Sequence, residues 1–264
     1  MHVKRVLSAL LVAILGLTIV FWWVNRPTGE IILDGINARP VMDHPGSLYV
    51  FARLTNNSEP DWLNSAESGE AMRAEIFSPA DVDRLPIPAN SSVQLAEDGA
   101  HIRLFGVTGD LAVGRLVPVT IAFQNAGKLR ANVKVGSPLD FTESRIAEAY
   151  GVGRVLPIPP GEKIPTVDVH AVKIVDGWRI SVSVEDFEFS NPDEMMGTAE
   201  FGVGHGHIYI SGLKLGRVYE DSVDIGDVAK GRYEISVILV SDDHRAFTTG
   251  GEVIAASTII ESDG

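Results

Sequence analysis

Gly204-His205-Gly206-His207-Ile-Tyr209-Ile-Ser-Gly212 is the segment of this sequence best equipped for chemistry. Histidines at i and i+2 share one face of a strand, roughly 6.5–7 Å apart along it. Two imidazoles on one rigid face, between flexible glycines, can chelate a metal ion. His244, in Ser241-Asp-Asp-His-Arg245, follows the apolar run Tyr233 to Val240. It therefore falls at a strand end, where a loop can bring it to the pair. Asp242 or Asp243 is then placed to orient a ligating imidazole. Met195 and Met196 precede the pair and offer thioether sulfur, which suits Cu(I). A blander reading stays open: two buried histidines that satisfy backbone groups and close a sheet, with the methionines filling gaps.

The remaining composition excludes more than it suggests. The chain has 264 residues, 22 Lys+Arg against 35 Asp+Glu, a net charge of −13 and no cysteine. Thiolate metal sites, disulfides and cysteine nucleophiles are excluded. The acidic balance disfavours nucleic acid, whose binding rests on phosphate neutralisation. No Gly-x-Ser-x-Gly elbow, His-Glu-x-x-His helix or phosphate-binding glycine loop occurs, so an enzyme is not expected.

The elements that must hold these residues read as strands. Leu48 to Leu54, Ala71 to Phe77, Ser92 to Leu95, Ala100 to Phe105, Leu116 to Phe123 and Leu129 to Val135 alternate or run apolar between turn residues. Thr166 to Ile174, Trp178 to Val184, His205 to Ser211, Tyr233 to Val240 and Val253 to Ile260 repeat the pattern. Between the two sets, Phe141 to Tyr150 has helical propensity, and the proline-rich stretch 151–161 predicts no regular element. Ahead of everything, Val6 to Val24 holds no charge and ends in Phe21-Trp22-Trp23. At 1.5 Å per residue it reaches the ~30 Å of a bilayer core. It reads as an uncleaved signal anchor rather than a cleaved leader, with Lys4 and Arg5 on the cytoplasmic side. The rest of the chain then holds 20 basic against 35 acidic residues.

The expectation is an all-β chain: two β-sandwich domains after an N-terminal transmembrane helix. Residues 1–27 are tail and anchor, 28–137 the first domain, 138–163 a linker and 164–264 the second domain.

The first domain resembles a known family. Ala38-Arg-Pro, Tyr49 to Asn57, Gly99-Ala-His-Ile-Arg-Leu-Phe-Gly, and Val117-Pro-Val-Thr-Ile-Ala-Phe-Gln-Asn-Ala-Gly are similar to segments of the periplasmic PCu(A)C copper-chaperone family, over roughly residues 36–137. That resemblance implies a cupredoxin-like sandwich that binds Cu(I) through Met and His and helps load copper into a respiratory oxidase. The family's ligand positions are altered here. His101 is kept, but Arg103 stands where the family has methionine, and Phe77 where it has histidine. The shortened loop from Ser78 to Pro86 has no methionine. Met42 and His44 are substitute ligands for His101 on one reading, and a solvated loop on the other. The second domain resembles a small exported bacterial β-domain marked by Gly-His-x-His-x-Tyr, to which Gly216-Arg-Val-Tyr219 and Asp243-His244 also conform.

These readings converge on a single-pass protein of the bacterial inner membrane, facing the periplasm and handling a copper ion. Its partners are the membrane, through the helix, and an oxidase subunit or another copper-accepting protein. The metal ligands expected are His205, His207, His244 and His101, with Met42, His44, Met195 and Met196 in supporting places. The alternative is a scaffold or interaction module without metal.

Overall fold

A computed structural model describes residues 30–139, 154–190 and 200–264 of the chain. Every regular element among them is a strand, as the all-β expectation requires. No helix among the described residues is long and apolar enough to cross a membrane. The expected anchor, Met195, Met196 and the helix-prone segment 141–150 lie outside the described residues.

The first half contributes β1 (Ile31–Pro40), β2 (Leu48–Asn56), β3 (Asp61–Glu67), β4 (Arg73–Phe77), β5 (Leu85–Ile87), β6 (Ser91–Leu95), β7 (His101–Phe105), β8 (Leu116–Phe123) and β9 (Lys128–Val135). The second contributes β10 (Val155–Pro157), β11 (Thr166–Ile174), β12 (Gly177–Glu185), β13 (Glu188–Phe189), β14 (Val203–Ile210), β15 (Leu213–Val218), β16 (Ser222–Gly226), β17 (Gly231–Val240), β18 (Ala246–Thr249), β19 (Glu252–Val253) and β20 (Ala255–Ser262).

Period-two patterning explains most of these. In β8, Val117, Val119, Ile121 and Phe123 turn inward while the residues between them stay more exposed. β2 is buried along most of its length because it is paired on both edges, to β1 on one side and to β6 and β7 on the other. In the second half, β14 lies between β15 and β17, and β17 pairs on with β20. β11, β12 and β16 form a separate three-stranded sheet.

The two halves share one apolar core. Val50, Leu104 and Ile121 of the first half belong to the same buried cluster as Val182, Ile208, Ile235 and Ile260 of the second. Backbone bonds seal the contact. Gln94 of β6 pairs with Lys214 of β15, the Ala100 N–H donates to the Gly212 carbonyl at 2.8 Å, and the Ser78 hydroxyl donates to the Ser211 carbonyl at 2.7 Å.

The expectation of no regular element over 151–161 needs correction. Val155–Pro157 is a short strand, parallel to β18. Its place at a sheet edge tolerates proline, since Pro157 closes the strand and the bonds are made by its neighbours. Ala246 N–H donates to the Arg154 carbonyl at 2.8 Å, and Ile158 N–H to the Thr248 carbonyl at 2.9 Å. Leu156 gives the strand its driving force, buried against Leu239, Phe247 and Ile254. Full burial of such a side chain contributes about 1.5–3 kcal/mol.

Candidate metal centre

β14 supplies two of the three imidazoles. Its side chains alternate, so Ile208 and Ile210 enter the core while His205, His207 and Tyr209 share the opposite face. The glycines beside the histidines do not act as hinges. A Cβ at Gly204 would lie 2.0 Å from the Val240 carbonyl oxygen, so glycine there allows β14 to close on β17.

β15 completes the face. His207 is opposite Arg217, and Tyr209 is opposite Lys214. The register slips by one residue between Ile208 and Tyr209, which sets Lys214 rather than Leu215 against the tyrosine. Bulges of this kind re-aim side chains next to functional sites.

His244 arrives from the turn after β17. Its φ is +61°, a left-handed conformation that histidine adopts more readily than most residues but at a cost of about 1–2 kcal/mol. The turn is fixed locally. Ser241 N–H donates to the Arg245 carbonyl at 2.9 Å, the Ser241 hydroxyl to Asp243 at 2.6 Å, and Arg245 Nε to Asp243 at 2.7 Å. Asp242 accepts from Ser190 at 2.6 Å. Both carboxylates expected to orient an imidazole are thus committed to other partners.

His205, His207 and His244 each present a ring nitrogen, all within 4.8 Å of one another. His205 Nε2 is 3.2 Å from His207 Nε2, and His244 Nδ1 is 3.4 Å from the same atom. A tetrahedral ion at 2.0–2.1 Å from each ligand sets nitrogen pairs about 3.3–3.4 Å apart. The two shortest separations match that spacing. No other His, Asp or Glu cluster of three among the described residues can hold an ion.

The group that orients His207 comes from the other half of the chain. Asp98 Oδ2 lies 2.6 Å from His207 Nδ1, 3.1 Å from the Tyr209 hydroxyl and 2.5 Å from Lys214 Nζ. Accepting from Nδ1–H leaves the Nε2 lone pair of His207 facing the other two rings. Asp98 is set there by close backbone contact. A Cβ on the next residue, Gly99, would lie 3.0 Å from the Gly212 carbonyl oxygen and 3.2 Å from the Tyr209 ring. Sequence reading missed Asp98 and Lys214, which lie more than a hundred residues apart along the chain.

The electrostatics keep the imidazoles neutral and available. Burial pushes His205 down to about 2, helped by the charges of its histidine neighbours, Arg217 and Lys214. Burial also holds His207 at about 4, although the Asp98 hydrogen bond works against it. His244 is lowered by burial and by Arg217 and Lys214. Burial opposes ionisation of Asp98, but His207 and Lys214 outweigh it and hold the carboxyl well below its usual range. His205 Nδ1 is buried with no hydrogen-bond partner among the described residues.

His101 is in a different situation. It is buried on β7, with Nδ1 2.9 Å from the Gly99 carbonyl and Nε2 accepting from Arg103 Nε at 3.1 Å. Tyr49, Phe51 and Phe77 surround its ring, with centroids 4.7, 5.7 and 4.9 Å away. Arg103 also lies over the Phe77 ring, 3.6 Å from its centroid. Arg103 and Phe77 therefore occupy the space around His101, and neither ring nitrogen is free. Met42 and His44 are exposed in the turn after β1, so they and His101 do not form a site.

A cleft of about 600 Å³ opens beside the trio, lined among others by Arg39, Asp98, Arg154, His207, Arg217 and His244.

Comparisons with known proteins bear on the first half. Residues 31–135 match the family model described as "Putative lipoprotein LpqE-like". That span overlaps the residues that resemble the PCu(A)C family. No curated protein matches the chain. Among solved structures, the copper-bound PCuAC domain from PmoF2 is similar at 22% identity, over 42% of this chain and 95% of that one, with a TM-score of 0.39. CuI-DR1885 from Deinococcus radiodurans is similar at 24% identity, over 39% of this chain and 75% of that one, with a TM-score of 0.35. The fibronectin(III)-like modules of Clostridium thermocellum CbhA are similar at 15% identity, over 88% of this chain and 94% of that one, with a TM-score of 0.23. At this level of similarity the chemistry has to be argued from the chain's own residues.

Proposed function

We propose that this chain is an extracytoplasmic copper-holding protein of chaperone type, not an enzyme. The ion sits between His205, His207 and His244. The observation that carries this reading is the convergence of three imidazoles within 4.8 Å, two of their nitrogen separations, 3.2 and 3.4 Å, being at the spacing a single ion demands. Imidazole suits copper and zinc alike. The resemblance of residues 36–137 to copper chaperones selects copper. A lipoprotein family description for residues 31–135 supports export. These 264 residues hold no cysteine to carry a thiol-linked lipid, so the apolar run Val6 to Val24 takes the anchoring role. A tether of this kind raises the effective concentration of the carrier at a membrane acceptor, such as an oxidase subunit.

The test is titration of the purified protein with Cu(I) and with Cu(II) against a competing chelator. The reading predicts one equivalent bound with a dissociation constant below about 1 μM. Binding no tighter than that for either ion would favour a scaffold whose histidines merely close the sheet.

A further inference from the structure

The cleft beside the trio carries the wrong sign for a cation on its own. Four cationic side chains line it, Arg39, Arg154, Lys214 and Arg217, against two carboxylates, Glu97 and Asp98. Both carboxylates are already engaged. Glu97 pairs with Arg39, and Asp98 with Lys214 and His207. Among the described residues that leaves Arg217 with no carboxylate partner, and Arg154 with only the more distant charge of Asp243, which Arg245 already pairs. Among the described residues, Arg217 Nη1 donates to the neutral Tyr219 hydroxyl, at 3.2 Å, and to no carboxylate. Arg154 is exposed and has no side-chain ion pair among the described residues. A cleft whose described lining has four cations against two carboxylates stands out in a chain of net charge −13.

The cleft is also where an ion held by the trio has its open side. His205 is fully enclosed, and of the three imidazoles only His207 and His244 reach the cleft wall. Three nitrogens leave a tetrahedral ion one position to fill. Arg217 sits directly opposite His207 in the β14–β15 register, so its guanidinium and the open coordination position share one face. Guanidinium groups bind carboxylate and phosphate oxygens with paired donors, and an anionic oxygen is a competent metal ligand.

We infer that the cleft binds a small oxyanion, a phosphate or a carboxylate, which fills the fourth metal position while Arg217 and Arg154 hold its remaining oxygens. The inference rests on the metal reading above and deepens it. The metal and the oxyanion then bind cooperatively, each raising the affinity of the other by the same factor.

The experiment measures Cu(II) affinity of the full chain by chelator competition, in a non-coordinating buffer at fixed ionic strength, with and without inorganic phosphate or acetate. The expected result is a rise in metal affinity of at least about tenfold with one or both anions. A rise with phosphate alone assigns the phosphate class, and with acetate alone the carboxylate class. In the Arg154→Ala/Arg217→Ala variant the ratio of affinities with and without anion falls to about one. Equal wild-type affinity in all three buffers overturns the oxyanion site and leaves the metal site standing. So does a rise that persists in the double variant. No metal binding in any buffer overturns the metal reading, and this inference with it.

Discussion

His101 and His207 are both buried histidines on strands, and both have one ring nitrogen held by an oxygen acceptor. Their other nitrogens differ. The Nε2 of His101 meets the Arg103 guanidinium, and aromatic rings close the space around it. The Nε2 of His207 meets two more imidazoles and a cleft, with Lys214 Nζ farther off at 3.5 Å. Burial and an anchoring hydrogen bond therefore do not make a ligand. What separates the two sites is whether the second lone pair is already occupied. In the half of the chain that resembles a copper-chaperone family the buried histidine is closed in, and the other half has an open set. The first half still contributes through Asp98, which aims His207 across the junction.

The largest test of that contrast is His207→Ala set beside His101→Ala. Loss of His207 removes the nitrogen shared by both short contacts. Copper affinity in a competition titration should fall by more than the ~100-fold that loss of an orienting partner brings. His101→Ala should leave copper affinity unchanged and lower stability instead, by about 3 kcal/mol in a denaturant titration, as truncation of a buried ring does.

Asp98→Asn probes the link between the halves. It should weaken copper binding by about 10- to 100-fold, because His207 loses its charged acceptor. It also leaves Lys214 buried without a counter-ion, which costs about 3–5 kcal/mol of stability. Asp98→Asn/Lys214→Met removes both charges. It should recover stability in thermal melts while copper affinity stays low. Recovery of both would show that Asp98 acts only by balancing Lys214.

Arg103→Met asks how firmly the first site is closed. The His101 Nε2 loses its donor, and the protein should lose about 1–3 kcal/mol in chemical unfolding. Copper stoichiometry should remain at one equivalent, since Tyr49, Phe51 and Phe77 still enclose the ring.

A last test, made without metal, is the pH dependence of the protein's stability. Burial, with the Arg103 charge, holds His101 at about 4 against the Gly99 hydrogen bond, while the unfolded value is about 6.5. The unfolded chain binds more protons between those values, so stability rises with pH across that window. Above pH ~6.5 this contribution is flat, and as pH falls from ~6.5 to ~4 stability is lost, by on the order of 3 kcal/mol for His101. His205 and His207 shift in the same direction and add to the slope. Melting temperatures of wild type and His101→Gln over pH 4–8 should show a shallower acid slope in the variant.

Much of the fold could be read from periodicity. β8 alternates cleanly, β17 alternates until its last four residues are buried together, and the runs of β8, β11 and β17 are visible with near-correct bounds. β3 was invisible because Asp61-Trp-Leu-Asn-Ser-Ala-Glu67 carries few apolar residues, and Asp61 is buried to bind the backbone N–H groups of Trp62, Asn125 and Ala126. β15 was hidden for a functional reason. Its Lys214, Gly216 and Arg217 break the apolar pattern, and two of them serve the cleft. The spacing of His205 and His207 pointed to a shared face, and the strand end after Val240 pointed to His244. Asp98 gave no local signal. It sits in a turn of the first half, and only the packing of the two halves brings it to His207.

Electron paramagnetic resonance of the protein loaded with one equivalent of Cu(II) tests the central claim most directly. The account predicts nitrogen hyperfine structure from imidazole ligands that disappears in His205→Ala/His207→Ala and persists unchanged in His101→Ala. A signal that survives the double variant, or that is lost with His101, would place the metal elsewhere and contradict the account.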